Sequence, residues 1–435
     1  MSILSLFLRG LFRTKSQEVP SSSLMESKLS ELRVAADACK EQGRGFFFAG
    51  ELDQAAACYQ EAIRIYPVHV ESYTNLAMTY VEQRRYEEAN ALFTKAIHIK
   101  PDHAVAHIEQ SKLSLLQGDF EKGFAQYEKG LDLLFRMDEH RYLQGGSYEQ
   151  FAQKVLPHRR YVQNEEFHNK TVLVCTVLGL GDTFLLLRYM RRLKEMYQPK
   201  KLIMMCEQTL VRIVESMSVV DEVITTLDNI QDNQFDYHCS GKSLLFLTRS
   251  DKEVNYCIPY LSVPQASKEK WTKRLKDLPG LKVGLVWGGN KELVYDVMRS
   301  IPLKKLEPLL SIEGITWVSL QKGEPAAQVK ELSYPILNWT EELQDMQDTA
   351  ALIESLDLTI SVDTSVINLV GALGRPGWLL NRYGSEWRWM LDCDFSPWYP
   401  SVRIFRQTTF KDWDSVIEKM AEELKKLINQ EIAPS

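Results

Sequence analysis

The side chains best suited to chemistry lie in a few short segments of this 435-residue chain. Gly179-Leu180-Gly181-Asp182-Thr183 follows an apolar run and opens an amphipathic one. It begins like a dinucleotide fingerprint, but Phe184 stands where the third glycine belongs, and a carboxylate at the helix start repels a pyrophosphate. Asp182 has two readings. It is a helix-start carboxylate favoured by the macrodipole, or a general base at a strand end.

Ser361-Val362-Asp363-Thr364-Ser365 forms a second such junction. Small polar side chains and free backbone N–H groups at a helix start make a cradle for a diphosphate; the same residues also describe an ordinary cap. Trp287-Gly288-Gly289-Asn290, Arg299-Ser300-Ile301-Pro302 and Gln321-Lys322-Gly323-Glu324 follow neighbouring apolar runs. Glycines permit close backbone approach, and Arg299, Lys322 and Lys291 offer positive charge to a phosphate.

Other chemistries recede. No histidine follows His238, no G-x-S-x-G nucleophile elbow occurs, and no C-x-x-C pair suggests zinc. No metal site and no cofactor are expected. Trp378, Trp387, Trp389 and Trp398 read first as core and second as a stacking platform for a base or sugar.

The elements that must position these residues follow from periodicity. From Thr171 onward, short β-branched runs alternate with amphipathic stretches, the pattern of parallel α/β units. Strands are predicted at Thr171–Val177, Lys201–Cys206, Glu222–Thr226 and Phe235–Cys239, with helices at Thr183–Tyr197 and Leu210–Met217. The chain turns polar over Ser262–Gly280 and the pattern restarts. Strands follow at Leu281–Trp287, Thr316–Leu320, Leu358–Val362, Gly377–Leu380 and Val402–Arg406. Helices are predicted at Pro302–Leu310, Ala326–Leu332, Thr349–Leu356, Ser365–Leu373 and Trp413–Asn429. Ligands in open α/β sheets sit at the carboxyl ends of strands, where all the segments above fall.

The first third repeats. Gly43, Phe46, Ala55, Tyr59, Ala62 and Pro67 recur 34 residues later as Ala77, Tyr80, Ala89, Phe93, Ala96 and Pro101. A weaker copy follows at Ser111, Gly123, Tyr127 and Gly130, with Phe135 in the proline's place. Small residues let paired helices approach, aromatics fill the gap, and proline stops the second helix. This resembles tetratricopeptide repeats, whose arrays present a concave groove to a peptide.

Composition bounds the class. Apolar residues make up 45% and charged residues 25%, with a net charge of −6, which disfavours a nucleic-acid surface. The seven scattered cysteines suggest reduced thiols in a cytoplasmic protein. No run approaches the roughly 20 apolar residues of a membrane span. The apolar and basic residues 1–15 suggest a partner-binding helix or a weak contact with the inner membrane surface.

Together these features resemble bacterial repeat-containing glycosyltransferases of the GT-B fold. The resemblance rests on Gly179-Leu180-Gly181-Asp182-Thr183, Phe235-Asp236-Tyr237-His238-Cys239, Trp287-Gly288-Gly289-Asn290, Arg299-Ser300-Ile301-Pro302, Ser319-Leu320-Gln321-Lys322-Gly323, Ser361-Val362-Asp363-Thr364 and Ser396-Pro397-Trp398-Tyr399-Pro400. The catalytic region is similar to the heptosyltransferase family (glycosyltransferase family 9), and the layout to O-linked N-acetylglucosamine and flagellin glycosyltransferases.

The resemblance implies an α plus α/β architecture. An N-terminal segment (1–23) and tetratricopeptide repeats (24–135) precede a connector (136–168). An acceptor-side Rossmann-like domain (169–270) and a nucleotide-sugar donor domain (271–435) follow. It implies Asp182 as the base that deprotonates an acceptor hydroxyl. It implies a metal-independent donor site at Trp287, Asn290, Arg299, Ser300, Gln321, Lys322, Asp363, Thr364, Ser365 and Asn368. A protein or peptide held by the repeats and a nucleotide sugar are the implied partners. Two departures stand out: Asn368 occupies a position where the family has histidine, and Leu293 another. An inactive scaffold and a transferase acting on a lipid-linked glycan are the alternatives.

Overall fold

The computed structural model describes residues 22–136, 167–176, 179–226, 234–293 and 295–432. Residues 1–15 and nearly all of the connector at 136–168 lie outside the described residues, so the readings placed on them have no structural counterpart. The chain divides into two compact units, Met1–Arg136 and Met137–Ser435.

The first unit is a run of antiparallel helices: α1 (Ser22–Phe48), α2 (Leu52–Ile65), α3 (Val70–Glu82), α4 (Tyr86–Ile99), α5 (Ala104–Leu116) and α6 (Phe120–Arg136). The repeat positions make the contacts their sizes require. Ala55, Ala62, Ala77, Ala89 and Ala96 are wholly buried, and Tyr59, Tyr80 and Phe93 fill the gaps beside them. In the weaker third copy, a Cβ on Gly123 would lie 2.4 Å from Leu115, and one on Gly130 2.6 Å from Ile108. Glycine at those positions lets α5 and α6 touch backbone to side chain.

The second unit holds two parallel sheets. The first joins β1 (Thr171–Cys175), β2 (Lys201–Met205), β3 (Glu222–Ile224) and β4 (Tyr237–Ser240) in the order β3-β2-β1-β4. Helix α7 (Leu180–Tyr197) follows β1, and α8 (Val211–Glu215) follows β2. The second sheet is preceded by α9 (Gln265–Leu275) and orders its strands β10-β9-β8-β5-β6-β7. Its strands are β5 (Leu281–Val286), β6 (Ile315–Ser319), β7 (Ile336–Asn338), β8 (Leu358–Val362), β9 (Gly377–Asn381) and β10 (Val402–Arg406). Helices α10 (Met346–Glu354) and α11 (Ser365–Ala372) flank β8, and α12 (Asp414–Ile432) closes the chain. Every residue of β8 and β9 is buried, as expected of parallel strands covered on both faces.

Three local expectations are corrected. The polar stretch at Ser262–Gly280 contains helix α9, which buries little more than Trp271 and Leu275. Two apolar residues give too weak a period to read, and a domain boundary at 270 falls inside this helix. Strand β7 was not anticipated, because three residues carry no alternation. The helix expected at Ala326–Leu332 is a 3-10 helix over Glu324–Glu331.

Candidate active site

Strand order places the site. In the first sheet the chain runs outward from β1 through β2 to β3, then returns to lay β4 on the other side of β1. In the second, β5, β6 and β7 run one way and β8, β9 and β10 the other. Each sheet therefore has a switch point, between β1 and β4 and between β5 and β8, where the diverging loops leave a crevice. Helix α7, which follows β1, carries Asp182 in its first turn, and the 3-10 turn after β4 carries Lys242. The loop after β5 leads to Arg299, and that after β8 carries Asp363.

The two crevices meet. Helices α7 and α11 start side by side: a Cβ on Gly181 would lie 3.1 Å from Asn368 Nδ2 and 3.6 Å from Ser365 Cα. From the first half, Asp182 reaches Arg388 of the second, which donates Nη1–H to Asp182 Oδ1. Lys242 Nζ stands 3.2 Å from Asp182 Oδ2. Gly241 makes this possible, since a Cβ there would lie 2.8 Å from Thr176 Cγ2. Glu386 completes the cluster, with Oε2 3.1 Å from Arg388 Nε.

The electrostatics follow from this geometry. Burial alone would raise the pKa of Asp182. The charges of Lys242 and Arg388 overcome it and hold the carboxyl well below the usual range. At Glu386 burial wins over Arg388 and raises the carboxyl, with Asp363 and Asp182 adding like charge. Burial opposes the charge on Arg388, but Glu386, Asp182 and Asp363 together keep its proton more tightly than usual. In this state Asp182 is a fully ionised, doubly paired carboxylate.

The Asp363 segment is built as a helix start. Thr364 caps α11 by accepting Val366 N–H at 3.3 Å, and Ser361 Oγ lies 3.1 Å from Thr364 Oγ1. Asp363 is 8% exposed. Asn368 is buried, and its Nδ2 donates to the Thr364 carbonyl at 2.8 Å.

The remaining expected donor residues hold their loops together. Gln321 accepts Trp287 N–H at 3.0 Å and Gly288 N–H at 2.8 Å. It donates to the carbonyls of Gly288 and Lys322. Ser300 Oγ accepts Gly289 N–H and donates to Asp296 Oδ2, both at 2.9 Å. The indole of Trp287 is fully buried, and its backbone N–H and carbonyl are taken by Gln321 Oε1 and Ile301 N–H, so it shapes its loop from within. Asn290 is exposed, and its side chain turns back to accept Glu292 N–H.

The expected cations are also engaged. Arg299 donates Nη1–H to the Asp363 carbonyl at 2.7 Å, and its Nε lies 3.1 Å from Asp296 Oδ1. It thereby ties the β5 and β8 loops to each other. Lys291 pairs with Glu324 at 2.5 Å on the surface. Lys322 Nζ donates to the Leu343 carbonyl, beside a groove of about 340 Å³ lined by Gly323, Ala326, Thr340 and Gln344. Among the tryptophans, Trp387, Trp389 and Trp398 are buried. Trp387 meets Trp398 edge-on at 5.0 Å, so these rings are core.

Lys242, Glu386 and Arg388 were not anticipated. The signals were slight: Gly241-Lys242 directly follows a short strand, and one arginine interrupts a tryptophan pair in Trp387-Arg388-Trp389. Among the described residues, no three His, Cys, Asp or Glu side chains converge as ligands for a metal.

Comparison with known proteins divides along the two units. The tetratricopeptide-repeat family profile matches residues 40–104 and 74–133. Protein FlbA of Caulobacter vibrioides is 24% identical over 403 residues, covering 86% of this chain. The chain spans 65% of the length of that relative. A crystal structure of a glycosyl transferase family 9 protein from Veillonella parvula aligns over 61% of this chain and 99% of its own, at 10% identity and TM-score 0.46. ADP-heptose lps heptosyltransferase II of E. coli aligns over 60% of this chain and 100% of its own, at 15% identity and TM-score 0.43. Residues 40–133 are tetratricopeptide repeats.

Proposed function

We propose that the chain is an inverting glycosyltransferase that moves a sugar from a nucleotide-sugar donor to a hydroxyl of a polypeptide docked by the repeats. The observation that carries this reading is the meeting of Asp182, from one switch point, with Arg388 beside the Asp363–Ser365 helix start of the other. A base on one wall and an anion cradle on the other are what displacement at an anomeric carbon requires.

In the reaction, Asp182 takes the proton of the acceptor hydroxyl as its oxygen bonds to the anomeric carbon from the face opposite the leaving group. The bond from that carbon to the donor phosphate oxygen breaks, and its electron pair leaves with the nucleoside diphosphate. The α11 N–H groups and the site's cations stabilise the departing charge. The donor's diphosphate would rest on Thr364 and Ser365, while Arg299, Gln321 and Ser300 keep the loops in place. The groove beside Lys322 has the size of a nucleoside pocket. Positive charge from side chains supports a metal-independent reaction, and seven cysteines scattered along the sequence without a paired motif suit a cytoplasmic setting.

The test is transfer and donor binding by the full chain with a panel of nucleotide sugars. Asp182→Asn should lower kcat about 10²–10⁴-fold without weakening donor binding; unchanged turnover removes Asp182 from the mechanism. A scaffold is the second reading, favoured by the buried, backbone-bonded Asn368 where the family has histidine. It takes precedence if no donor binds while the repeats capture a polypeptide.

A further inference from the structure

We propose that Arg388, assisted by Lys242, is the docking cation for the donor's diphosphate, and that its ion pair with Asp182 keeps the base closed until that diphosphate arrives. The proposal rests on the glycosyltransferase reading, which needs both an anion site and a free base within one crevice.

Three observations lead to it. First, Arg299 and Lys322 are committed to backbone carbonyls, whereas Arg388 and Lys242 converge on a carboxylate that the reaction must release. Second, Arg388 belongs to a stiff platform. Its carbonyl accepts from Ser396 Oγ at 2.7 Å. Arg406 donates to the neighbouring Trp389 carbonyl at 2.8 Å and to Ser385 Oγ at 2.6 Å. Asn381 Nδ2 bonds the same Ser385 Oγ. The backbone is thus fixed on the donor wall, and only the guanidinium needs to turn. Third, Arg388 bonds Asp182 in the first turn of α7, and the adjoining Gly181 lies against Ser365 and Asn368 at the α11 start where a diphosphate would sit.

Competition between two anions then orders the events. A diphosphate carries more charge than one carboxylate and accepts the guanidinium fork at two oxygens. As Arg388 and Lys242 turn to it, Asp182 loses the charges that suppress its proton affinity. Its basicity rises toward the range useful for proton abstraction. Without a donor, the carboxylate stays paired and holds no acceptor proton. The groups facing Asp182 from both walls are Lys242, Arg388 and, at longer range, Glu386.

Isothermal titration of the full chain tests this with inorganic pyrophosphate, ADP, GDP and UDP as probes. Asp182→Asn removes the competing carboxylate and should tighten pyrophosphate binding at least about fivefold. Arg388→Gln should weaken it about tenfold and erase the gain in the double variant. If Arg388→Gln fails to fold, Lys242→Gln, whose side chain keeps 22% exposure, should still weaken binding about threefold. Pyrophosphate bound no tighter by Asp182→Asn than by the wild type, or by neither protein, overturns the proposal. So does unchanged affinity in folded Arg388→Gln. Nucleoside diphosphates that bind no better than pyrophosphate count against the glycosyltransferase reading, while a gain in Asp182→Asn would still support the exchange.

Discussion

Arg188 offers the sharpest test of what holds the crevice together. It sits on α7, the helix that carries Asp182, and its side chain is wholly buried. Nη1 donates to the Val254 carbonyl at 3.2 Å, and Nη2 to the Trp398 carbonyl at 2.8 Å and Tyr260 Oη at 3.4 Å. The guanidinium lies 4.6 Å from the ring centre of Tyr260 and 5.1 Å from that of Tyr399. No carboxylate is among these partners, so carbonyl dipoles and aromatic faces sustain the charge. Trp398 belongs to the second half and α7 to the first, which makes Arg188 a tie between them. Arg188→Met removes bonds worth about 1.5–3 kcal/mol each and strands the buried Trp398 carbonyl at about 1–3 kcal/mol, while Tyr189 Oη still donates to the Val254 carbonyl. Release of the buried charge offsets part of this. The net loss should be about 3–5 kcal/mol, a large share of a typical total of about 5–15 kcal/mol. Urea denaturation and calorimetry measure it, with a fall in Tm on the order of 10 °C. Arg188→Lys should recover only part, because one ammonium cannot reach the Val254 and Trp398 carbonyls with a planar fork. A stability for Arg188→Met within about 0.5 kcal/mol of the wild type would refute the reasoning.

Two more outcomes follow from the same geometry. Gly371→Ala places a Cβ 2.3 Å from the buried Tyr399 ring. Overpacking should exceed the helix-propensity gain of about 1 kcal/mol and destabilise by about 1–3 kcal/mol in thermal melts; a stabilised variant would show that the ring moves freely. At neutral pH, Asp182→Asn should cost about 1–2 kcal/mol, less than a fully buried pair because the carboxylate keeps 26% exposure. Asp182 titrates lower in the folded chain than in the unfolded one. Its stabilisation is therefore present above about pH 4 and is lost as pH falls toward the folded value. The gap between wild type and variant, followed by urea titration, should shrink from pH 5 to pH 2; a constant gap contradicts the pairing.

The legible parts of this protein share one property: their signal is local. A 34-residue recurrence of small and aromatic positions specifies paired helices, because close packing admits only those sizes. Buried strands such as Leu358–Val362 are visible as apolar runs, and the junctions at Asp182 and Asp363 as polar residues directly after them. What stayed hidden lacked local contrast. Helix α9 buries two side chains that matter, and β7 is three residues long.

Read from sequence alone, the residue types at the strand ends determined that a carboxylate and a helix start rich in small polar side chains would both be present. Only tertiary structure decided which cations the carboxylate meets. Arg299, the most attractive from sequence, is drawn into tying two loops, because Asp363's carbonyl and the Asp296 carboxylate stand within its reach. Arg388 meets Asp182 across 206 positions of chain. No periodicity records such a meeting, since two switch points in separate sheets create it when α7 and α11 pack side by side. The same contact decides the present state of Asp182, a paired carboxylate rather than a free base, because charge at an atom depends on its neighbours in space.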